Sequence, residues 1–148
     1  MSTPVTKELV ARALPGNLKS AATDELADLI NQISTDPLVA EQIRDNFLSY
    51  TSVLKEGKYK VEDYLNAVAY CSYKLMGESN QDAYFKTFPQ RYANLMAAGR
   101  TPKEISSYVS AYAKGQLVNK IMEQTLVPSW VLNQHMYQAA LNTQFNLM

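Results

Sequence analysis

The stretch 64–88, YLNAVAYCSYKLMGESNQDAYFKTF, decides how the chain is read. Tyr64, Val68, Cys71 and Leu75 fall at spacings of three and four, the period of a helix with one buried face. Gly77 can end that helix by taking the left-handed backbone that residues with a Cβ avoid. Ser79-Asn80-Gln81-Asp82 then has the spacing of a capping box, with Asp in place of the usual Glu, and opens a second helix carrying Ala83, Tyr84 and Phe85. Pro89 limits its length. Two helices joined through a glycine, with no alternating apolar run and no Asn-Gly hairpin signal, predict an all-α fold.

The same period continues in both directions. Upstream, a short helix is expected near 6–14, ended by Pro15-Gly16, and Leu26, Leu29, Ile30 and Ile33 form the apolar stripe of a second. Asp36 caps a third that begins at Pro37 and is expected to run to about Lys55 through Val39, Ile43, Phe47, Tyr50 and Leu54. Glu56-Gly57 breaks it. Downstream, a helix around 91–98 ends at Gly99, and Thr101-Pro102-Lys103-Glu104 combines a Thr cap, a proline at the first helical position and a Glu three residues after the cap. That helix presents Ile105, Tyr108, Val109 and Tyr112. The stripe slips at Gly115, where a kink or break is expected, and Pro128 begins a last helix. Seven or eight helices are predicted in one compact domain: N-terminal helices at 1–57, a helix-turn-helix-like region at 58–120 and an apolar oligomerisation region at 121–148.

Length and composition narrow the class. The chain has 148 residues, 47% of them hydrophobic, with few Gly and Pro, which fits an ordered globular domain with its own core. No apolar run approaches the roughly 20 residues that cross a bilayer, and 1–16 lacks the apolar core of a secretory signal, so a soluble intracellular protein is expected. Cys71 is the only cysteine and reads as a small buried hydrophobe rather than a reactive thiol. His135 is the only histidine and has no ligand set beside it, which favours a polar interface residue over a metal site. Glu62-Asp63 reads as first-turn negative charge complementing a helix dipole, not as a catalytic pair. Without a Walker loop, a nucleophile elbow or a Cys–His constellation, neither an enzyme nor a cofactor is expected.

Charge is distributed unevenly within a net charge of zero. Residues 55–120 hold ten basic and six acidic side chains, a net +4, whereas the residues before them sum to −3. Such asymmetry can steer a polyanion to the middle of the molecule. Lys74, Lys86, Arg91, Arg100, Lys103 and Lys114 stand near the ends of successive helices and are the candidate phosphate contacts, with Ser106, Ser107 and Ser110 on the exposed face of the Pro102 helix as candidate base readers. The alternative for each base alone is an ordinary solvated helix face. Tyr84, Tyr92, Tyr108 and Tyr112 fit base stacking or core, and their helical spacing favours core with the hydroxyl at the rim.

From Ile121 onward only Glu123 is charged. Trp130, Leu132, Met136, Tyr137, Leu141 and Phe145 fall on two stripes of the last helix, which need two surfaces to cover them. A subunit interface is expected there; the alternative is a central helix buried within a monomer.

Tyr64-Leu65-Asn66-Ala67 and the segment from Ser79 to Phe88, followed by the segment from Ser110 to Ile121, resemble the DNA-binding region of tailed-phage small terminase subunits. The resemblance covers roughly the central 60 residues, and residues 89–100 separate its two halves by more than a tight turn. It implies a homo-oligomeric ring, acting without catalysis in the host cytoplasm, that binds double-stranded viral DNA and delivers it to the large terminase subunit, a separate ATPase and nuclease. The competing expectation is an all-α structural or adaptor protein of a virion that docks its partners through the apolar C-terminal helix.

Overall fold

The computed structural model describes residues 4–56 and 58–126, and these are helical with no strand among them. The helices are α1 (Lys7–Ala13), α2 (Asp24–Gln32), α3 (Pro37–Ser49), α4 (Val53–Glu56), α5 (Val61–Leu75), α6 (Asn80–Thr87), α7 (Pro89–Ala97), α8 (Pro102–Ala113) and α9 (Gln116–Thr125), with a 3-10 helix at Gly16–Ala21 between the first two. None of them is long and apolar enough to cross a membrane.

Most starts follow from side-chain caps that satisfy the first backbone amides. Thr6, Thr23 and Ser79 each accept the N–H three residues on, and Asp36 accepts that of Leu38 with Pro37 at the first helical position. Thr101 forms the full reciprocal capping box with Glu104.

The core is organised around α5. Its residues from Tyr64 to Tyr73 are buried except Asn66, on faces that pack against α3, α6 and α9. A helix covered on several sides must be apolar on several sides, and this one is. Tyr64 meets Phe47 edge-on at 5.0 Å between ring centroids and donates its hydroxyl to the Phe47 carbonyl oxygen at 2.7 Å. The buried Asn46 amide donates to Ser72 Oγ at 2.9 Å, and that hydroxyl donates in turn to the Val68 carbonyl at 2.8 Å, so both polar groups enter the core with partners. At the N-terminal side the Asn31 amide pairs with both backbone groups of Val5, holding the segment before α1 against α2.

One expectation needs revision, and with it the helix count. The single helix expected from Pro37 to Lys55 ends at Ser49, and α4 follows as a separate turn. Val53 and Leu54 donate to Tyr50 and Thr51, three residues back, so the backbone tightens and redirects Val53 and Leu54 into the core, where α4 meets α9. This split brings the α-helices among the described residues to nine. The break expected at Gly115 is complete: α8 and α9 are separate helices, with Gly115 in extended backbone as the N-cap of α9. One cluster of buried side chains runs from Val5 to Ile121, so the N-terminal helices and the 58–120 region share a core.

Candidate nucleic-acid interface

α7 and α8 are joined by four residues. Gly99 sits at φ +70°, its N–H bonds the Met96 carbonyl, and the Arg100 N–H reaches back to Leu95, a Schellman ending that closes α7 and turns the chain sharply. Pro102 then starts α8 under the Thr101 cap. The pair is two helices joined by a short glycine turn, and its first helix, α7, is built from residues expected to separate the two halves of the helix-turn-helix-like region. α6 lies behind as a third helix and packs against both α7 and α8.

The turn also disposes of the one acid on α8. Glu104 Oε1 accepts the Thr101 N–H at 3.0 Å, and Oε2 lies 3.2 Å from Arg100 Nη1. The Thr101 backbone and hydroxyl and the Arg100 guanidinium favour the charged carboxylate and hold it below the usual Glu range. Further along α8, Lys103, Ser106, Ser107, Ser110, Ala111 and Lys114 line one shallow, exposed concavity. Their spacing places all six on one helix face, about 16 Å from end to end. Ser107 returns its hydroxyl to the Lys103 carbonyl, while Ser106 and Ser110 have no hydroxyl partner among the described residues. Lys103 and Lys114 stand at the two ends without an ion pair among the described residues. Small hydroxyl side chains between two ammonium groups leave the helix backbone accessible to a close-fitting polyanion.

The structure thus gathers five of the nine candidate DNA contacts on α8 and leaves four elsewhere. Lys74 is half-buried in the last turn of α5. Lys86 is bonded to the Glu78 carboxylate, which raises its pKa, and lies 5.8 Å from the Tyr73 ring centroid. Arg91 donates to Tyr84 Oη at 2.9 Å and stacks 3.9 Å from the Phe88 centroid. Arg100 is engaged with Glu104.

The four tyrosines divide. Tyr84 and Tyr112 pack together at 5.4 Å in an aromatic cluster that includes Phe88, as the core expectation required. Tyr92 and Tyr108 are exposed, so that expectation fails for them. Ile105, Val109 and Tyr112 take the inner face of α8 and Tyr108 falls beside it.

Behind α8 lies a second concavity of about 360 Å³. Tyr59, Asp63 and Asn66 line it from the α5 end, Phe88 and Arg91 from the α6–α7 junction, and Ala111, Tyr112 and Gly115 to Val118 from the α8–α9 junction. Sequence spacing gave no sign of it, because its walls come from three distant segments. Cys71 is buried with Sγ 3.9 Å from the Val118 carbonyl, and burial pushes its thiol up to about 12, in line with a structural role. The candidate interface residues Trp130, Leu132, Met136, Tyr137, Leu141 and Phe145, and His135, lie outside the described residues.

No family model, curated protein or solved structure matches this chain.

Proposed function

We propose that the protein is a non-enzymatic subunit that binds double-stranded DNA through the outer face of α8, in the manner of a small terminase subunit that recognises viral DNA and passes it to a separate motor. The observation that carries this reading is the single α8 face on which Lys103, Ser106, Ser107, Ser110 and Lys114 come together after a short glycine turn. A helix face of this size fits the major groove of B-form DNA, with its lysines on phosphates and its serines at base edges. Pairing with Arg100 partly offsets the Glu104 charge that would oppose such a contact. Few bases per subunit make single-copy binding weak and salt-dependent, so useful affinity requires several copies acting together.

The test is fluorescence anisotropy of labelled duplex DNA over a salt series. Binding at low salt that falls steeply as salt rises, and that weakens more than about ten-fold in a Lys103→Glu, Lys114→Glu double variant of unchanged helicity, is the expected result. Equal binding by the variant, or none by the parent protein at low salt, sinks the reading. The exposed apolar face of α7 favours the second reading, a virion adaptor that docks proteins, whose partner binding would be insensitive to those two lysines.

A further inference from the structure

The concavity behind α8 takes no part in the outer α8 face, yet its walls have the make-up of a ligand site. At about 360 Å³ it falls at the lower end of the roughly 300–1,000 Å³ of small-molecule sites, which suits one planar ring system. Tyr59, Phe88 and Tyr112 give it aromatic walls. Arg91 enters from the α6–α7 junction, its guanidinium stacked 3.9 Å from the Phe88 ring centroid and its Nη1 donating to Tyr84 Oη. Those two contacts orient the group, and its remaining N–H donors have no side-chain or backbone acceptor among the described residues. On the α5 side, Asp63 is exposed and has no cation partner among the described residues. Asn66 is the one residue from Tyr64 to Tyr73 that is not buried, and its side-chain amide, like that of Gln116, bonds to no described residue. Over that stretch the core helix departs from burial only where it meets the cavity.

We propose that this cavity binds a guanine base, with Asp63 and Arg91 reading two of its edges. A carboxylate accepts two adjacent N–H groups, and a guanidinium donates two. Guanine is the base that offers both complements: N1–H and N2–H on one edge for Asp63, and O6 and N7 on another for Arg91. Adenine and cytosine each present only an amino group to a carboxylate. The aromatic side chains cover the faces of the ring, and the Asn66 and Gln116 amides supply further hydrogen bonds at its rim. The base arrives on a free nucleotide or at an unpaired position of a strand lying on α8, since Ala111 lines both the cavity and the outer α8 face. The inference goes beyond the proposed function and stands without it.

Isothermal titration of the full chain with GMP, AMP and CMP tests it. GMP should bind saturably and at least about ten-fold more tightly than AMP or CMP, the discrimination of one good bidentate pair. Asp63→Asn alters an exposed side chain and should leave helicity unchanged while weakening GMP at least about ten-fold. The same variant should gain affinity for xanthosine monophosphate, because its new amide N–H meets the carbonyl oxygen that stands where guanine has an amino group. A general loosening of the fold would weaken both nucleotides. An oligo-dT strand carrying one dG separates the two sources. Binding tighter than GMP that falls in the Lys103→Glu, Lys114→Glu double variant assigns the base to a strand, binding no tighter than GMP assigns it to a free nucleotide, and both uphold the site. No saturable GMP binding, equal affinity for the three nucleotides, or parent-like GMP binding by Asp63→Asn overturns the inference. Salt-dependent binding of duplex DNA, sensitive to Lys103 and Lys114, would leave the functional reading standing in each of those cases.

Discussion

α5 and α7 have similar ingredients and opposite fates. Both combine leucine, tyrosine and alanine at helical spacing, yet most of α5 is buried and nothing in α7 is. The difference lies in their neighbours. α5 is enclosed by α3, α6 and α9, whereas α7 starts at Pro89, is closed by a glycine turn after nine residues, and packs against α6. Amphipathicity shows that a helix has a face to cover; the rest of the chain decides whether that face is covered from within. In this protein the enclosed helix supplies stability, and the open arm leads into α8, whose outer face carries the candidate DNA contacts.

The largest effect should come from replacing one tyrosine in each helix. Tyr64→Ala removes a fully buried ring and its bond to the Phe47 carbonyl, and should cost about 3–5 kcal/mol in urea unfolding, a large fraction of the stability of a domain this size. Tyr92→Ala, on the exposed arm, should cost only about 1 kcal/mol, mainly the loss of its edge-on contact with Phe85 at 4.8 Å. Comparable losses at the two positions would erase the distinction between core and arm.

An intermediate effect should appear at the junction that ends the arm. Thr101→Ala deletes the hydroxyl that caps α8 and should destabilise the protein by about 1 kcal/mol at neutral pH. The same change should raise the Glu104 titration midpoint, followed by NMR, toward the ordinary Glu range. A folded-state pKa below the unfolded value contributes stability that is present above the unfolded pKa and lost as pH falls through the folded one. The difference between parent and variant should therefore narrow in acid. A Glu104 midpoint unmoved by the substitution would show that the box does not set its charge.

The smallest effect sharpens the contrast without disturbing the fold. Cys71 should be unreactive toward a thiol reagent at pH 8 in the native protein and react fully in denaturant, because burial holds its pKa near 12 and no free surface reaches it. Since that folded-state pKa is raised, the neutral thiol's contribution to stability is intact below the ordinary thiol pKa and declines as pH rises from there toward 12. Rapid native labelling would mean that α5 opens far more readily than its packing suggests.

The sequence by itself determined the all-α class, nearly every helix start, the break at Gly115 and the burial of Cys71. These follow from interactions spanning a few residues: Thr101 with Glu104, Ser79 with Asp82, Pro37 after Asp36, and an apolar period that local geometry enforces. It also placed Ser106, Ser107 and Ser110 on the exposed face of the Pro102 helix, since a face of a single helix is a matter of spacing, whereas it spread Lys103 and Lys114 among the bases of several helices. Only the tertiary structure decided the split after Ser49, the partners of Lys86, Arg91 and Arg100, the separate fates of Tyr112 and Tyr92, and the exposure of α7. The split depends on a distant element, α9 beside α4, whereas Lys86, Arg91 and Arg100 meet Glu78, Phe88 and Glu104 across the bends between neighbouring helices, whose direction the packing sets. Contacts across long stretches of chain are set by how whole helices pack, and the spacing of residues along one helix carries no record of them.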